Sequence, residues 1–416
     1  MEFPSYLEPQ LLTQINDLEG SPCFLYDAGE ILKQTEVVKR FPAPFGLFPR
    51  YAMKACPTRA ILQLIASEGF GIDASSGYEV DRALRAGIAA EKISLSTQEL
   101  PSDFADWVKA GVQINACSLY QLERYGSVFP GTRIGLRFNP GLGSGGTAKT
   151  NVGGPSSSFG IWHEKVEEVR ETIERHSLTA FRIHTHIGSG SDPSVWQRTA
   201  ELSLALVREF PTVTTLNLGG GYKVARIPTE NGADIVQIGE PVAEALREFA
   251  AETKREIQLE VEPGTYLVAN ASFLIAKVQD IVDTLPGGHR FLKLNTGMTD
   301  LLRPSLYAAQ HPMKIIPKTH EKRGEQNYVV VGHCCESGDL LSPSPADAET
   351  LAERTLTEAR IDDWLIIGGV GAYCSSMSTK NYNSFPETPE ILRETDGELR
   401  VIRKRQSLEQ ILANES

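Results

Sequence analysis

The chain has 416 residues, enough for about two or three domains and a large apolar core. Its 53 acidic residues outnumber 41 basic ones, the net charge is −12, and no long basic run occurs, so nucleic acid is excluded as an expected partner. No apolar run is long enough to span a bilayer, and the start, "MEFPSYLEPQ", lacks a charged n-region and an apolar h-region, which predicts a cytoplasmic protein without a signal peptide or membrane partner.

From residue 50 short β-branched runs alternate with helical patterns. The strand-like runs are "RYAMK" (50–54), "GIDAS" (71–75), "ISLST" (93–97), "VQINA" (112–116), "RIGLRF" (133–138), "FRIHTHI" (181–187), "TLNL" (215–218) and "QLEVE" (258–262). Between them "TRAILQLIASEG", "SGYEVDRALRAG", "EKVEEVRETIERH", "WQRTAELSLALVREF" and "EPVAEALREFAAETKREI" carry apolar residues at three- and four-residue spacing. Such alternation predicts an α/β fold. Eight strands fit a (β/α)8 TIM barrel; an open doubly wound sheet has the same rhythm. Beyond about residue 270, "FLIAKVQDIVDTL", "NYVVVGHC", "DWLIIGG" and "ELRVIRKR" read as strands without regular helices, which predicts a second, largely β domain. The cysteines Cys23, Cys56, Cys117, Cys334, Cys335 and Cys374 show no C-x-x-C spacing, so neither a metal site nor a disulfide framework is expected.

A barrel of this kind works at the C-terminal ends of its strands. This sequence places Lys54, Asp73, Arg137, His186, the triplet Gly219-Gly220-Gly221 and Glu262 there. Singly, each has an ordinary explanation: a strand-end Asp is a common helix N-cap, and a glycine run is a common turn. Together they fit pyridoxal phosphate. Its aldehyde condenses with a lysine amine, here Lys54. Its phosphate needs backbone N–H groups free to approach, which "LNLGGGY" offers, with Ser189 adding a hydroxyl. Its ring nitrogen stays protonated against a carboxylate, here Glu262, and the imidazole of His186 suits the flat ring face.

"YAMKACP", "GIDASSGYEV", "HTHIGSG", "LNLGGGY", "EPGTYLV", "CESGD" and "GAY" follow the order seen in fold-type III pyridoxal phosphate decarboxylases, a group that includes diaminopimelate, ornithine and arginine decarboxylases. The chain resembles this family from about residue 22 to about residue 405. The resemblance implies an alanine-racemase-type barrel over 29–268. It also implies a C-terminal domain like a β-sandwich or β-barrel, formed by 1–28 and 269–416. A head-to-tail homodimer with shared active sites follows from it. It makes Lys54 the Schiff-base lysine, in a tight apolar setting that lowers its pKa. It adds Asp73, Arg137, Gly264 and Thr265 to the cofactor's contacts. Cys335 becomes the group that reprotonates Cα, Glu336 a substrate contact, and Tyr373 a contact of both cofactor and substrate.

Within "TDLLRPSLYAAQHP", Arg303 and Tyr307 resemble the RP-x-LY signature of diaminopimelate decarboxylases. An arginine suits a distal carboxylate, whereas ornithine, lysine and arginine end in cations that it would repel. The expected substrate is therefore meso-diaminopimelate, decarboxylated to L-lysine. Two departures keep another amino acid, free or carrier-bound, open as the alternative. Thr265 stands where the family has arginine, with Arg137, Lys149 and Lys223 as candidates to replace the lost charge. The Gly/Ser-rich stretch 141–162 reaches "FGI" through Ser158, where the family often has lysine. A non-catalytic regulator of this fold would lack cofactor ligands, and Lys54, the glycine triplet and Glu262 are all present.

Overall fold

Each β-branched run between residues 47 and 261 forms a strand, because its neighbours in the chain are helices that cover it. The strands are β1 (Leu47–Ala52), β2 (Gly71–Ala74), β3 (Ile93–Ser96), β4 (Gln113–Ala116), β5 (Arg133–Asn139), β6 (Thr179–Thr185), β7 (Thr215–Asn217) and β8 (Gln258–Val261). They pair in parallel in the order β4-β3-β2-β1-β8-β7-β6-β5. A further parallel pairing of β4 with β5 closes the ring. The closure decides for the barrel over the open sheet, since an open sheet leaves two edges unpaired.

The computed structural model describes residues 1–144, 152–319 and 321–416. They divide into two units: Leu32–Lys223 with Asn231–Tyr266, which holds the barrel, and Met1–Ile31 with Val224–Glu230 and Leu267–Ser416.

Several helices of the barrel unit start where a polar side chain caps them. Ser76 accepts from the Glu79 N–H ahead of Gly77–Arg85, and the Glu79 carboxylate accepts in return from the Ser75 N–H at 2.7 Å. Ser118, Asp192 and Asp234 cap Leu119–Val128, Pro193–Glu209 and Ile235–Thr253 in the same way. Asp73 is not the cap of its helix.

The barrel interior carries a polar layer. Glu260 of β8 is 3% exposed and accepts from Arg50 Nη2 of β1 and Arg182 Nη2 of β6, both at 2.9 Å. Gln113 Oε1 accepts from both arginines, and Arg182 also reaches Ser94 and Asn115. Burial opposes ionisation of Glu260, but the two guanidiniums outweigh it and lower its pKa.

In the second unit nine strands form one sheet. The early strand Cys23–Asp27 joins it, antiparallel to Ser272–Asp283 and parallel to Glu390–Arg393. Leu12, Ile15, Leu25, Phe273, Ile275, Trp364 and Ile391 form its core. Among the described residues no helix is long and apolar enough to cross a membrane.

Removing the Glu260 carboxylate strands two buried guanidiniums. Glu260→Ala is expected to destabilise the barrel by about 3–5 kcal/mol, read as a lower midpoint in urea unfolding. An unchanged midpoint would show that the layer contributes little.

Candidate active site

Lys54 sits on a single 3-10 turn, Met53–Ala55, just beyond β1. Met53 and Ala55 are buried and anchor the turn, whereas Lys54 itself is exposed. The apolar neighbours therefore hold the backbone and do not enclose the amine, which corrects the expectation of a tight apolar setting. Lys54 lines a cavity of about 270 Å³ with Ser96, Cys117, Arg137, Phe159 and His186.

Glu262 lies one residue beyond β8 and is 4% exposed. Asn217 Nδ2 donates to its Oε1 at 2.7 Å, and His184 Nε2 stands 3.4 Å from its Oε2. Burial opposes its charge, but His184, His186 and Lys54 outweigh burial and hold the carboxyl well below the usual carboxylate range. Asp73 does the opposite. Burial first, then the charge of Glu262, raise its carboxyl well above the ordinary value, against Lys54 and Arg137. Its Oδ1 is buried and lacks a hydrogen-bond partner among the described residues.

His184 and His186 share one face of the strand line. Ser96 Oγ lies 3.2 Å from His184 Nδ1. His186 is half-buried, and its Nδ1 has no partner among the described residues. Burial lowers both imidazoles, and Lys54 and Arg137 push His186 further down, so its ring is neutral at pH 7. Arg137 is buried, with its guanidinium 5.4 Å from the Phe159 ring centre. Ser189 is half-buried in a loop tied to Ser144 by its backbone N–H and carbonyl.

The glycine triplet is required by space. A Cβ on Gly219 would lie 2.6 Å from His186 Nδ1, on Gly220 2.2 Å from the Glu262 carbonyl oxygen, and on Gly221 1.8 Å from the Gly188 carbonyl oxygen. Gly219 and Gly221 also have φ of +70° and +100°. Asn217 Oδ1 accepts from the Gly219 N–H at 2.7 Å, so one side chain orients both the triplet and Glu262. A Cβ on Gly264 would lie 3.2 Å from those of Ala52 and Ala55. Thr265 beside it is half-buried.

In the second unit, Cys335 and Glu336 are exposed on a loop held by a buried acid. Asp339 accepts from the Cys334 N–H at 2.7 Å and the Met298 N–H at 2.6 Å. The Cys335 N–H donates to Asn383 Oδ1 at 2.9 Å. Tyr373 is half-buried at φ +57°, and Arg303 and Tyr307 bound the short helix Arg303–Tyr307. The sequence reading assigned no role to Asn217 or Asp339. Asn217 was within reach of it, two residues before the triplet; Asp339 signals its part only once the loop is folded around it.

The barrel rim fits pyridoxal phosphate. The Gly219–Gly221 turn, whose backbone admits no Cβ, would hold the phosphate. Glu262 would face the ring nitrogen, His186 the ring face, and Lys54 the aldehyde. Residues 29–269 match the family model "Pyridoxal-dependent decarboxylase, pyridoxal binding domain".

The chain belongs to the pyridoxal-dependent decarboxylases.

Its cofactor is pyridoxal phosphate, and it is an amino-acid carboxy-lyase. The diaminopimelate decarboxylase of Streptomyces coelicolor is 34% identical over 99% of this chain and 93% of its own length. That of Escherichia coli K12 is 33% identical over 95% of this chain and 94% of its own. A crystal structure of a diaminopimelate decarboxylase, 32% identical, superposes with a TM-score of 0.91 over 99% of this chain and 98% of that one. The Helicobacter pylori diaminopimelate decarboxylase complexed with L-lysine, 27% identical, does so at 0.85 over 97% and 98%.

A methyl group on Gly220 would force the triplet off Glu262. Gly220→Ala in this decarboxylase is expected to weaken pyridoxal phosphate uptake by at least roughly tenfold, measured by titrating the cofactor's visible absorbance. Undiminished uptake by a folded variant would remove the triplet from the cofactor cradle.

Proposed function

We propose that this decarboxylase converts meso-diaminopimelate to L-lysine and carbon dioxide, as a cytoplasmic enzyme of lysine biosynthesis. The observation that carries the reading is Arg303, whose Nε is buried without a hydrogen-bond partner among the described residues. A guanidinium short of an acceptor suits a substrate that ends in a carboxylate and disfavours substrates that end in a cation. The names of the relatives, and the L-lysine in the Helicobacter pylori complex, support the same substrate and product.

Bound pyridoxal phosphate supplies an electron sink for the bond that breaks at Cα. Lys54 would anchor it from the cavity lining. Glu262, ionised and fixed by Asn217, would keep the ring nitrogen protonated. His186, neutral, would pack the ring without adding a competing charge. Arg303, Tyr307 and Glu336 read the far end of the substrate, and Tyr373 contacts substrate and cofactor. The Cα–carboxylate bond breaks, carbon dioxide leaves, and the partner subunit's Cys335 places a proton on Cα. This assignment makes the enzyme a head-to-tail homodimer, supported by the exposure of Cys335 and Glu336 on a loop fixed from beneath. Thr265 favours a second reading, the same chemistry on another amino acid, because the family's arginine at that position is absent.

Carbon dioxide release is expected from meso-diaminopimelate and not from lysine, ornithine or arginine, with Lys54→Ala inactive. Full activity of Lys54→Ala would sink the scheme, and release from a diamine acid would favour the second reading. Cys335→Ser is expected to lower turnover roughly 10²- to 10⁴-fold with the cofactor absorbance unchanged. Wild-type turnover would take the proton donor's role from Cys335.

A further inference from the structure

A guanidinium donates hydrogen bonds and never accepts them, so a buried arginine sets the direction of a network that starts from it. Arg182, in the barrel interior, starts one. Its Nη1 donates to Asn115 Oδ1 at 3.3 Å, which leaves the Asn115 amide one orientation, with Nδ2 turned away as the donor. Nδ2 donates to Ser94 Oγ at 3.0 Å and to Ser96 Oγ at 2.9 Å. The amide is also confined by space. Gly135, the β5 residue paired with Asn115, lies against it: a Cβ there would come 1.9 Å from Asn115 Oδ1.

Ser96 Oγ has two hydrogen-bond partners among the described residues, Asn115 Nδ2 and His184 Nδ1, the second at 3.2 Å. It accepts from the first, so its own proton goes to the second. His184 Nδ1 is therefore an acceptor, and the imidazole carries its one proton on Nε2. Nε2 stands 3.4 Å from Glu262 Oε2 and has no other partner among the described residues. His184 is 1% exposed, and burial lowers its pKa although Glu262 pulls the other way, in keeping with a neutral ring. The other oxygen of Glu262, Oε1, accepts from Asn217 Nδ2 at 2.7 Å. Asn217 is oriented in its turn, because its Oδ1 accepts from the Gly219 N–H. Each carboxylate oxygen of Glu262 thus faces a nitrogen from a different strand line.

We infer that Asn115, Ser96 and His184 are positioning residues for Glu262: hydrogen bonds running one way from Arg182 hold His184 in the tautomer whose Nε2–H faces that carboxylate. A neutral donor there favours the charge and fixes the direction of Glu262, and it adds no cation to compete with the cofactor for the carboxylate. The consequence for turnover rests on the reading of Glu262 as the group that faces the ring nitrogen.

The test uses the holoenzyme with its eight histidines labelled with nitrogen-15, in which NMR shows which ring nitrogen of each carries the proton. The His184 signals are assigned by their loss in His184→Gln or, should that variant not fold, by the Nδ1 signal that shifts in Ser96→Ala. A proton on Nε2 alone is the expected result. A proton on Nδ1, or on both nitrogens, would overturn the inference. Ser96→Ala removes the donor to Nδ1 and is expected to lower kcat roughly 10- to 100-fold with KM and cofactor uptake little changed. Wild-type kcat in that variant would overturn the positioning role. His184→Gln places an amide nitrogen where Nε2 was, and His184→Asn places one where Nδ1 was. The glutamine variant is therefore expected to keep roughly tenfold more of kcat, and equal loss in the two folded variants would count against the inference. Glu262→Gln tests the underlying reading apart from this one. Unchanged kcat and cofactor absorbance there would overturn the facing of Glu262 to the ring, while the tautomer of His184 is read from the wild-type spectrum in either case.

Discussion

One carboxylate, Glu260, accounts for two guanidiniums in the barrel interior, and the rim above is built on that pairing. Arg50 and Arg182 are 2% and 1% exposed, and neither is tolerable there without an acid. Strands alternate, so the residue two positions on points to the same side one layer higher. Glu260 thereby sets Glu262, and Arg182 sets His184 and His186. A slip of one residue would break the ion layer and turn the chemical layer outward together, so the structural pairing fixes the register of the site. Asn217 ties the two layers directly, donating to Glu260 and to Glu262 from one amide.

Above that layer the electrostatics separate two buried carboxyls. Glu262 receives an amide donor and faces His184, His186 and Lys54, so its charge is favoured despite burial. Asp73 has a buried oxygen without a partner among the described residues, and it feels Glu262 as a like charge, so its charged form is disfavoured. One ionised acid, held by the Asn217 amide and the Lys54 charge, suits a protonated ring nitrogen. A second full charge beside it would compete for the same cations. Environment, more than residue type, makes this assignment.

The eight strands were legible because period-2 alternation and helix spacing survive at sequence level, and the strand ends then pointed to one rim. Closure was not legible, since it depends on β4 meeting β5, which no local pattern encodes. The exposure of Lys54 was also hidden. "RYAMKACP" reads as apolar throughout, yet the 3-10 turn buries Met53 and Ala55 and leaves the amine out. Thr265 was visible as a missing charge, but the burial of Arg226 was not visible. Arg226 lies in an irregular stretch whose side chain is held by the Gly369 carbonyl, more than a hundred residues later.

The two units hold their candidate residues by different means. Lys54, His186, Glu262 and the triplet belong to the barrel unit and are fixed by strand register and by glycines that admit no side chain. Arg226, Arg303, Cys335 and Glu336 belong to the other unit, where backbone carbonyls and the buried Asp339 hold loops in place. An added side chain at the triplet meets backbone or the His186 ring, so that part of the rim admits little change.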